Sequence, residues 1–321
     1  MNKQTVLFIV GPTATGKTAL AVEVAKRYNT QIVSADSMQI YRRMDIGTAK
    51  PTLGERQGIP HHMIDILDPC RDAFSVAEYQ SLAREAIDNI LAVHRLPIVA
   101  GGTGLYINAL TYPMSFTSVA ADSSIRAKLE AQYEDDPDAV FKELEASDPV
   151  TAKRLHPNDK KRIVRALEVF IQTGKPFSTF GEGFTNMDGA KIPYRPLMFG
   201  LNMPREELYS RINRRVEMMM EAGLLEEVKA LERAGCTMET SAMQGIGYRQ
   251  LLQYLAGEIT LEDALNCIKM ESRRYAKRQI TWFKRDKRIR WLDVTHYKNN
   301  GSIADDIIRI IRESGEGESA E

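Results

Sequence analysis

The sequence predicts an α/β fold in which a parallel sheet is flanked by helices and interrupted by an all-helical insertion. Three observations predict it. Short apolar runs alternate with helix-spaced segments through the first hundred residues. Between about Thr111 and Arg195 that alternation gives way to successive polar helical segments. From Pro196 strand character returns, so the core is built from both ends of the chain.

Val6-Leu7-Phe8-Ile9-Val10 is an unbroken apolar run, the pattern of a strand buried on both faces. It leads into Gly11-Pro12-Thr13-Ala14-Thr15-Gly16-Lys17-Thr18, which fits G-x-x-x-x-G-K-S/T. Leu20, Val22, Val24 and Ala25 then mark a helix closing near Tyr28-Asn29. Strand, glycine loop and helix form the setting this motif needs, so the core is expected to be P-loop NTPase-like. All eight loop residues are expected to hold a di- or triphosphate. Gly11 and Gly16 let the backbone curl its N–H groups toward one anion, and the helix N-terminus adds its dipole. Lys17 supplies a mobile charge and Thr18 a hydroxyl suited to Mg²⁺.

A second strand, Gln31 to Ala35, is expected beside the first and delivers Asp36 to the carboxyl edge of the sheet, where ligands sit. A solvated cap or a carboxylate ordering Mg²⁺ is the plainer alternative for Asp36. Thr52 to Gly58 reads as loop and His61 to Leu67 as another strand. Neighbours on a strand point to opposite faces, so His61 and His62 read as structural or substrate-lining and not as a metal pair. Ser75 to Val93 carries helix spacing. Pro97 to Ala100 is a short buried strand that ends in Gly101-Gly102-Thr103-Gly104, small residues suited to close approach of a ligand. Thr103 then reads as an edge residue or a helix cap. No apolar run ends in the paired acids of a motor-type ATPase.

The insertion is expected at residues 113–195, with helices over Ile125–Glu134, Pro137–Ala146 and Pro149–Leu155. A further helix from Lys160 to Phe170 has a basic face, and a loop with Gly174, Pro176, Gly181, Gly183 and Gly189 follows. Residues 1–112 and 196–312 form the core, and 313–321 an acidic, disordered tail. Within the second core segment, one long helical region from Glu206 to Arg233 carries Arg211, Arg214 and Arg215. Gly245-Ile246-Gly247-Tyr248-Arg249-Gln250 opens the next helix, and Leu261 to Phe283 marks another. Ile289 to Val294 is the last strand.

Lys and Arg equal Asp and Glu at 43 each, so no global charge points to a nucleic acid. From Arg273 to Arg290, however, nine cations face the single acid Asp286, a regional bias that suits a polyanionic partner. Cys70, Cys236 and Cys267 are widely spaced with no C-x-x-C, which predicts reduced thiols in a cytoplasmic protein. No apolar run reaches membrane-spanning length, and a monomer is expected.

Asp36-Ser37-Met38-Gln39-Ile40-Tyr41 and Met44-Asp45-Ile46-Gly47-Thr48-Ala49-Lys50-Pro51 resemble the tRNA dimethylallyltransferases of bacterial type. Further matches follow in family order: Ile59-Pro60-His61-His62, Gly101 to Tyr106, His156 to Asp159, Arg165 to Glu168, Gly247 to Gln250 and Ala276 to Trp282. The resemblance spans roughly residues 6–293. It implies transfer of a dimethylallyl group from dimethylallyl diphosphate to the exocyclic amine of the adenosine 3′ to a tRNA anticodon, with Mg²⁺ as cofactor. It further implies catalytic roles for Asp36, Thr103 and Arg215, with Arg211 and Arg214 as competitors for the diphosphate contact. The tRNA anticodon stem-loop would be met by Asp36, Ser37, Met38, Gln39 and Thr103. It would also be met by Arg126, by Lys161, Arg162, Ile163, Val164 and Arg165, and by Gly245, Ile246, Gly247, Tyr248, Arg249 and Gln250. One departure is Ala120-Ala121-Asp122, where the family has a proline before the aspartate, which leaves the hinge position open. Two other readings stay open here: a small-molecule P-loop kinase, and a non-catalytic, nucleotide-gated RNA-binding protein. An adenylate isopentenyltransferase would differ only in its acceptor.

Overall fold

The computed structural model describes residues 3–70, 74–114, 122–180 and 193–313. The chain divides into two compact units: residues 1–111 with 193–321, and residues 112–192.

The first unit is a six-stranded sheet with every pairing parallel. β1 (Thr5–Val10) lies at its centre, and its five apolar residues are fully buried. α1 (Lys17–Arg27) follows the glycine loop. β2 (Ile32–Ser34) leads to α2 (Leu53–Arg56) and β3 (His61–His62). α3 (Val76–Ala92) starts at Ser75, whose hydroxyl accepts from the Glu78 amide in a capping box. β4 (Ile98–Gly101) and α4 (Gly104–Thr111) complete the first segment.

Strand order is β3-β2-β4-β1-β5-β6. This corrects one expectation, because β2 does not lie beside β1. β4 stands between them, so on that side the neighbour of the glycine loop is the Gly101-Gly102-Thr103 edge, and Asp36 lies one strand further. The strand expected over His61–Leu67 is also shorter. Met63 and Asp65 take left-handed backbone with φ near 60°, which ends the ladder after His62. Leu67 returns only as an isolated bridge to Tyr41.

The second unit contains α5 (Ser123–Asp135), α6 (Pro137–Ser147), α7 (Pro149–Ala152) and α8 (Lys160–Thr173). Asp122, Asp136 and Asp148 cap the first three, each side chain accepting from amides of the first turn. Leu129, Val140, Leu144, Ile163, Val164 and Leu167 form a core of their own. The departure at Ala120-Ala121 and the glycines from 181 to 189 lie outside the described residues, as does the tail from 314.

β5 (Arg195–Asn202) returns to the sheet beside β1. The region expected as one helix is two, α9 (Arg205–Glu221) and α10 (Leu224–Arg233), parted at Gly223. α11 (Tyr248–Leu255), α12 (Leu261–Phe283) and β6 (Arg290–Asp293) follow. α13 (Asn300–Glu313) closes the chain and was not among the expected elements, although Ile303, Ile307 and Ile311 stand at helix spacing and are buried. The two faces of β1 feed separate cores: Leu7 and Ile9 pack with α1 and α13, while Val6, Phe8 and Val10 pack toward α3, α4, α10 and α11.

The reduced-thiol expectation needs correction for two cysteines. Cys70 and Cys236 are bonded as a disulfide, with Cα atoms 4.4 Å apart despite a sequence separation of 166. Spacing along the chain held no sign of this, because the fold alone brings the loop after β3 against the turn after α10. Cys267 is free. Among the described residues no helix is long and apolar enough to cross a membrane.

Candidate active site

At the carboxyl edge of the sheet lies a cleft of about 280 Å³, lined by glycine-loop residues, Asp36, Gln39, Thr48, Ala49, Glu55, Gln57, Arg215, Tyr275 and Gln279. Its floor is the turn between β1 and α1. Lys17 donates from Nζ to the carbonyl of Pro12 at 2.7 Å, and Thr15 donates to the same oxygen at 2.9 Å. Burial and then the nearby Arg215 charge bring the Lys17 pKa down to about 7, against the opposing effect of Asp36. Thr18 also lines the cleft. Of the three candidate arginines, Arg215 reaches the cleft and donates to Thr13 Oγ1 at 3.1 Å. Arg211 is paired with Glu207 on the exposed side of α9, where Arg214 is also exposed.

Across the cleft, Asp36 Oδ1 accepts from the amides of Met38 at 2.9 Å and Gln39 at 3.3 Å. This Asx turn fixes the carboxylate at the strand end. Gln39 Nε2 donates to the carbonyls of Thr48 and Ala49, tying the D-S-M-Q run to the D-I-G-T-A-K run. Lys50, whose side chain is buried, pairs with Asp45 and Asp65 and donates to the Tyr41 carbonyl. Thr103 Oγ1 accepts from the Ser37 amide at 3.0 Å, and the Tyr275 side chain lines the cleft nearby. Burial and the Asp36 charge push the Tyr275 hydroxyl up to about 12.

Close approach of a ligand was the expected reason for Gly102 and Gly104. The structure gives a different one. A Cβ on Gly102 would meet the Gln279 amide, and one on Gly104 would meet the Trp282 indole. Both partners belong to α12, whose inner face presses on this edge. Tyr275 and Gln279 read from sequence only as positions on one helix face, Gln279 inside the family motif Ala276 to Trp282 and Tyr275 just before it, and neither was given a role in the site.

Several expected RNA-contacting residues are structural here. Tyr248 is buried, and its hydroxyl donates to Glu227 at 2.6 Å. The same carboxylate accepts from the amides of Asp45, Ile46 and Gly47. Gln250 is buried and accepts from the Gly247 amide. Ile246 packs on the core and Gly245 abuts Met38, whereas the Arg249 side chain is half-exposed. In the second unit Ile163 and Val164 belong to the core, while Lys161 and Arg162 are exposed. Arg126 and Arg165 both pair with the buried carboxylate of Glu168, at 2.8 and 2.9 Å. Those arginines and the Asp122 amide hold Glu168 below the ordinary carboxylate range, against the opposing effect of burial. On α12 and the turn after it, Arg274, Lys277, Arg278, Lys284, Arg285 and Lys287 are exposed, whereas Arg288 is bound to Asp286 and the Thr111 carbonyl.

Sheet topology and cleft together define a parallel α/β protein whose cleft at the carboxyl edge holds Lys17 and Arg215 together with the Asp36 carboxylate. Within that class the chain belongs to the IPP transferase family, whose sequence profile matches residues 39–286. It is 47% identical over 308 residues to the tRNA dimethylallyltransferase of Pelotomaculum thermopropionicum, covering 96% of each chain. With that of Desulforudis audaxviator it shares 50% over 287 residues, 89% of this chain and 91% of the other. Among solved structures it is similar to the tRNA isopentenylpyrophosphate transferase of Bacillus halodurans, at 42% identity, 98% coverage of each chain and a TM-score of 0.71. A eukaryotic dimethylallyltransferase acting on tRNA matches at 29% identity over 99% of this chain and 81% of the other, with a TM-score of 0.80.

Proposed function

We propose that the chain moves the dimethylallyl group of dimethylallyl diphosphate onto the exocyclic amine of the adenosine 3′-adjacent to the anticodon in tRNA. The observation that carries this reading is one cleft shared by Asp36 on one side and Lys17 and Arg215 on the other. An adenine amine is a weak nucleophile because its lone pair is delocalised into the ring. As its nitrogen bonds to the allylic carbon, the carbon–oxygen bond to diphosphate breaks and the electron pair leaves with the diphosphate. The amine proton passes to the Asp36 carboxylate. Lys17, Arg215 and the loop amides neutralise the charge that grows on the leaving group.

Thr18 offers its hydroxyl oxygen to the cleft, and among the described residues no three His, Cys, Asp or Glu side chains cluster as an all-protein metal cage. That donor set fits Mg²⁺, which keeps its waters and takes substrate phosphates with one or two protein oxygens. When bound it would add positive charge on the diphosphate. The core is read as P-loop NTPase-like and residues 112–192 as the unit that grips the anticodon stem-loop. Exposed Lys161 and Arg162, with the cations of α12, support that reading. The setting we infer is cytoplasmic, with the chain acting as a monomer. Labelled dimethylallyl diphosphate, total tRNA and Mg²⁺ should give a prenylated adenosine on nuclease digestion. ATP turnover without RNA, and no label in RNA, would overturn the reading in favour of a kinase.

A further inference from the structure

Resting on that reading, we infer that Gln279 is a positioning residue that holds the diphosphate side of the cleft at a fixed distance from the acceptor side. β1 and β4 are paired in register up to Val10 and Gly101. Past that pair the two chains leave the ladder, one into the glycine loop and the other toward Thr103. The Gln279 side chain fills the gap. Its Oε1 accepts from the Thr13 amide at 2.9 Å, and its Nε2 donates to the Gly102 carbonyl at 2.9 Å. A side-chain amide thus stands where a peptide unit would continue the sheet. The partners fix its orientation, since one can only donate and the other can only accept.

Three further features point the same way. Gln279 is only 6% exposed, so water cannot readily replace either bond. Gly102 lacks the Cβ that would collide with the Nε2 atom, so the contact is tight from both sides. Thr13 is pinned twice, by Gln279 on its amide and by Arg215 on its hydroxyl. Through Thr13 the Gln279 amide sets where Arg215 rests, and through Gly102 it sets the strand end that leads to Thr103. Tyr275, one turn earlier on α12, lines the same cleft, so one face of this helix supports the edge at both positions. Separation between acceptor and leaving group then depends on one amide, and a small misplacement is costly in a displacement reaction.

Glutamine is the side chain this place requires. Glutamate is acceptor-only at neutral pH and would turn a carboxylate oxygen on the Gly102 carbonyl. Leucine is close in size but leaves both backbone groups unpaired. The test is single-turnover prenylation of an anticodon stem-loop, with both substrates and Mg²⁺ saturating, for Gln279→Leu and Gln279→Glu. Two lost bonds to buried groups correspond to about 10- to 100-fold in the rate constant. Apparent KM for RNA should stay within about threefold, because the exposed cations are untouched. A residue that only supports folding would lower the amplitude, the fraction of active sites, and leave the rate constant alone.

Gly102→Ala supplies an independent arm should Gln279→Leu fold poorly. Alone it should slow turnover by pushing the amide away, and in a Gln279→Ala background it should add little, since the colliding group is gone. Parental rate constants in both Gln279 variants, or full additivity with Gly102→Ala, would overturn the inference while leaving the proposed function intact. Failure of the parent to prenylate RNA would instead remove the functional reading itself.

Discussion

Lys17 makes diphosphate binding pH-dependent in a way that can be worked out from the cleft. Its ammonium is desolvated and stands near Arg215, which together bring its pKa to about 7 from the ordinary 10.5. A bound diphosphate places negative charge on it and reverses both effects. Between pH 7 and 10.5 the free cleft therefore lacks a proton that the occupied cleft holds. Binding should take up about half a proton at pH 7 and about 0.9 at pH 8, and affinity should fall about 50-fold from pH 7 to pH 9 through this group alone. The sign for the unliganded protein is the opposite. Over the same window the unfolded chain binds the extra proton, so the empty fold gains stability as pH rises. Isothermal titration of dimethylallyl diphosphate in two buffers of different ionisation enthalpy, with the parent and Lys17→Met, measures the uptake directly. Subtracting the variant removes the titration of the ligand itself. No proton uptake at pH 8, or equal uptake in both proteins, would refute the argument.

Three further outcomes follow from named contacts. Asp36→Asn should lower the single-turnover rate by about 10² to 10⁴ while binding of both substrates changes little; rescue by excess Mg²⁺ would assign Asp36 to metal ordering instead. Gly47→Ala would place a Cβ 2.6 Å from the Tyr248 ring, and urea denaturation should report about 1–3 kcal/mol of lost stability from overpacking; parental stability would mean the ring can swing aside. Lys161→Ala with Arg162→Ala, both exposed, should lower the slope of log affinity against log salt for an anticodon stem-loop by about 1.4, some 0.7 per lost contact to single-stranded phosphate. An unchanged slope would place the RNA elsewhere.

Much of this architecture was readable from local pattern, because local physics decides it. The run Val6–Val10 had to be buried on both faces, and the G-x-x-x-x-G-K-T loop had to turn into a helix whose first turn faces the ligand edge. Helix limits at Ser75, Pro137 and Leu261 followed from periodicity, which involves only residues a few positions apart. Long-range pairing decided the rest. Strand order is set by crossovers that no single segment encodes, and it put β4, not β2, beside the glycine loop. Tyr248 and Gln250 sit in a motif that reads as a contact surface, and only packing of α11 against Glu227 of α10 and against α12 turned them inward. Cys70 meets Cys236 across 166 residues for the same reason. Gln279 had no chemistry of its own in the sequence. It acquired a role only when folding placed α12 across the ends of two strands, where an amide could satisfy one donor and one acceptor that the sheet had left unpaired.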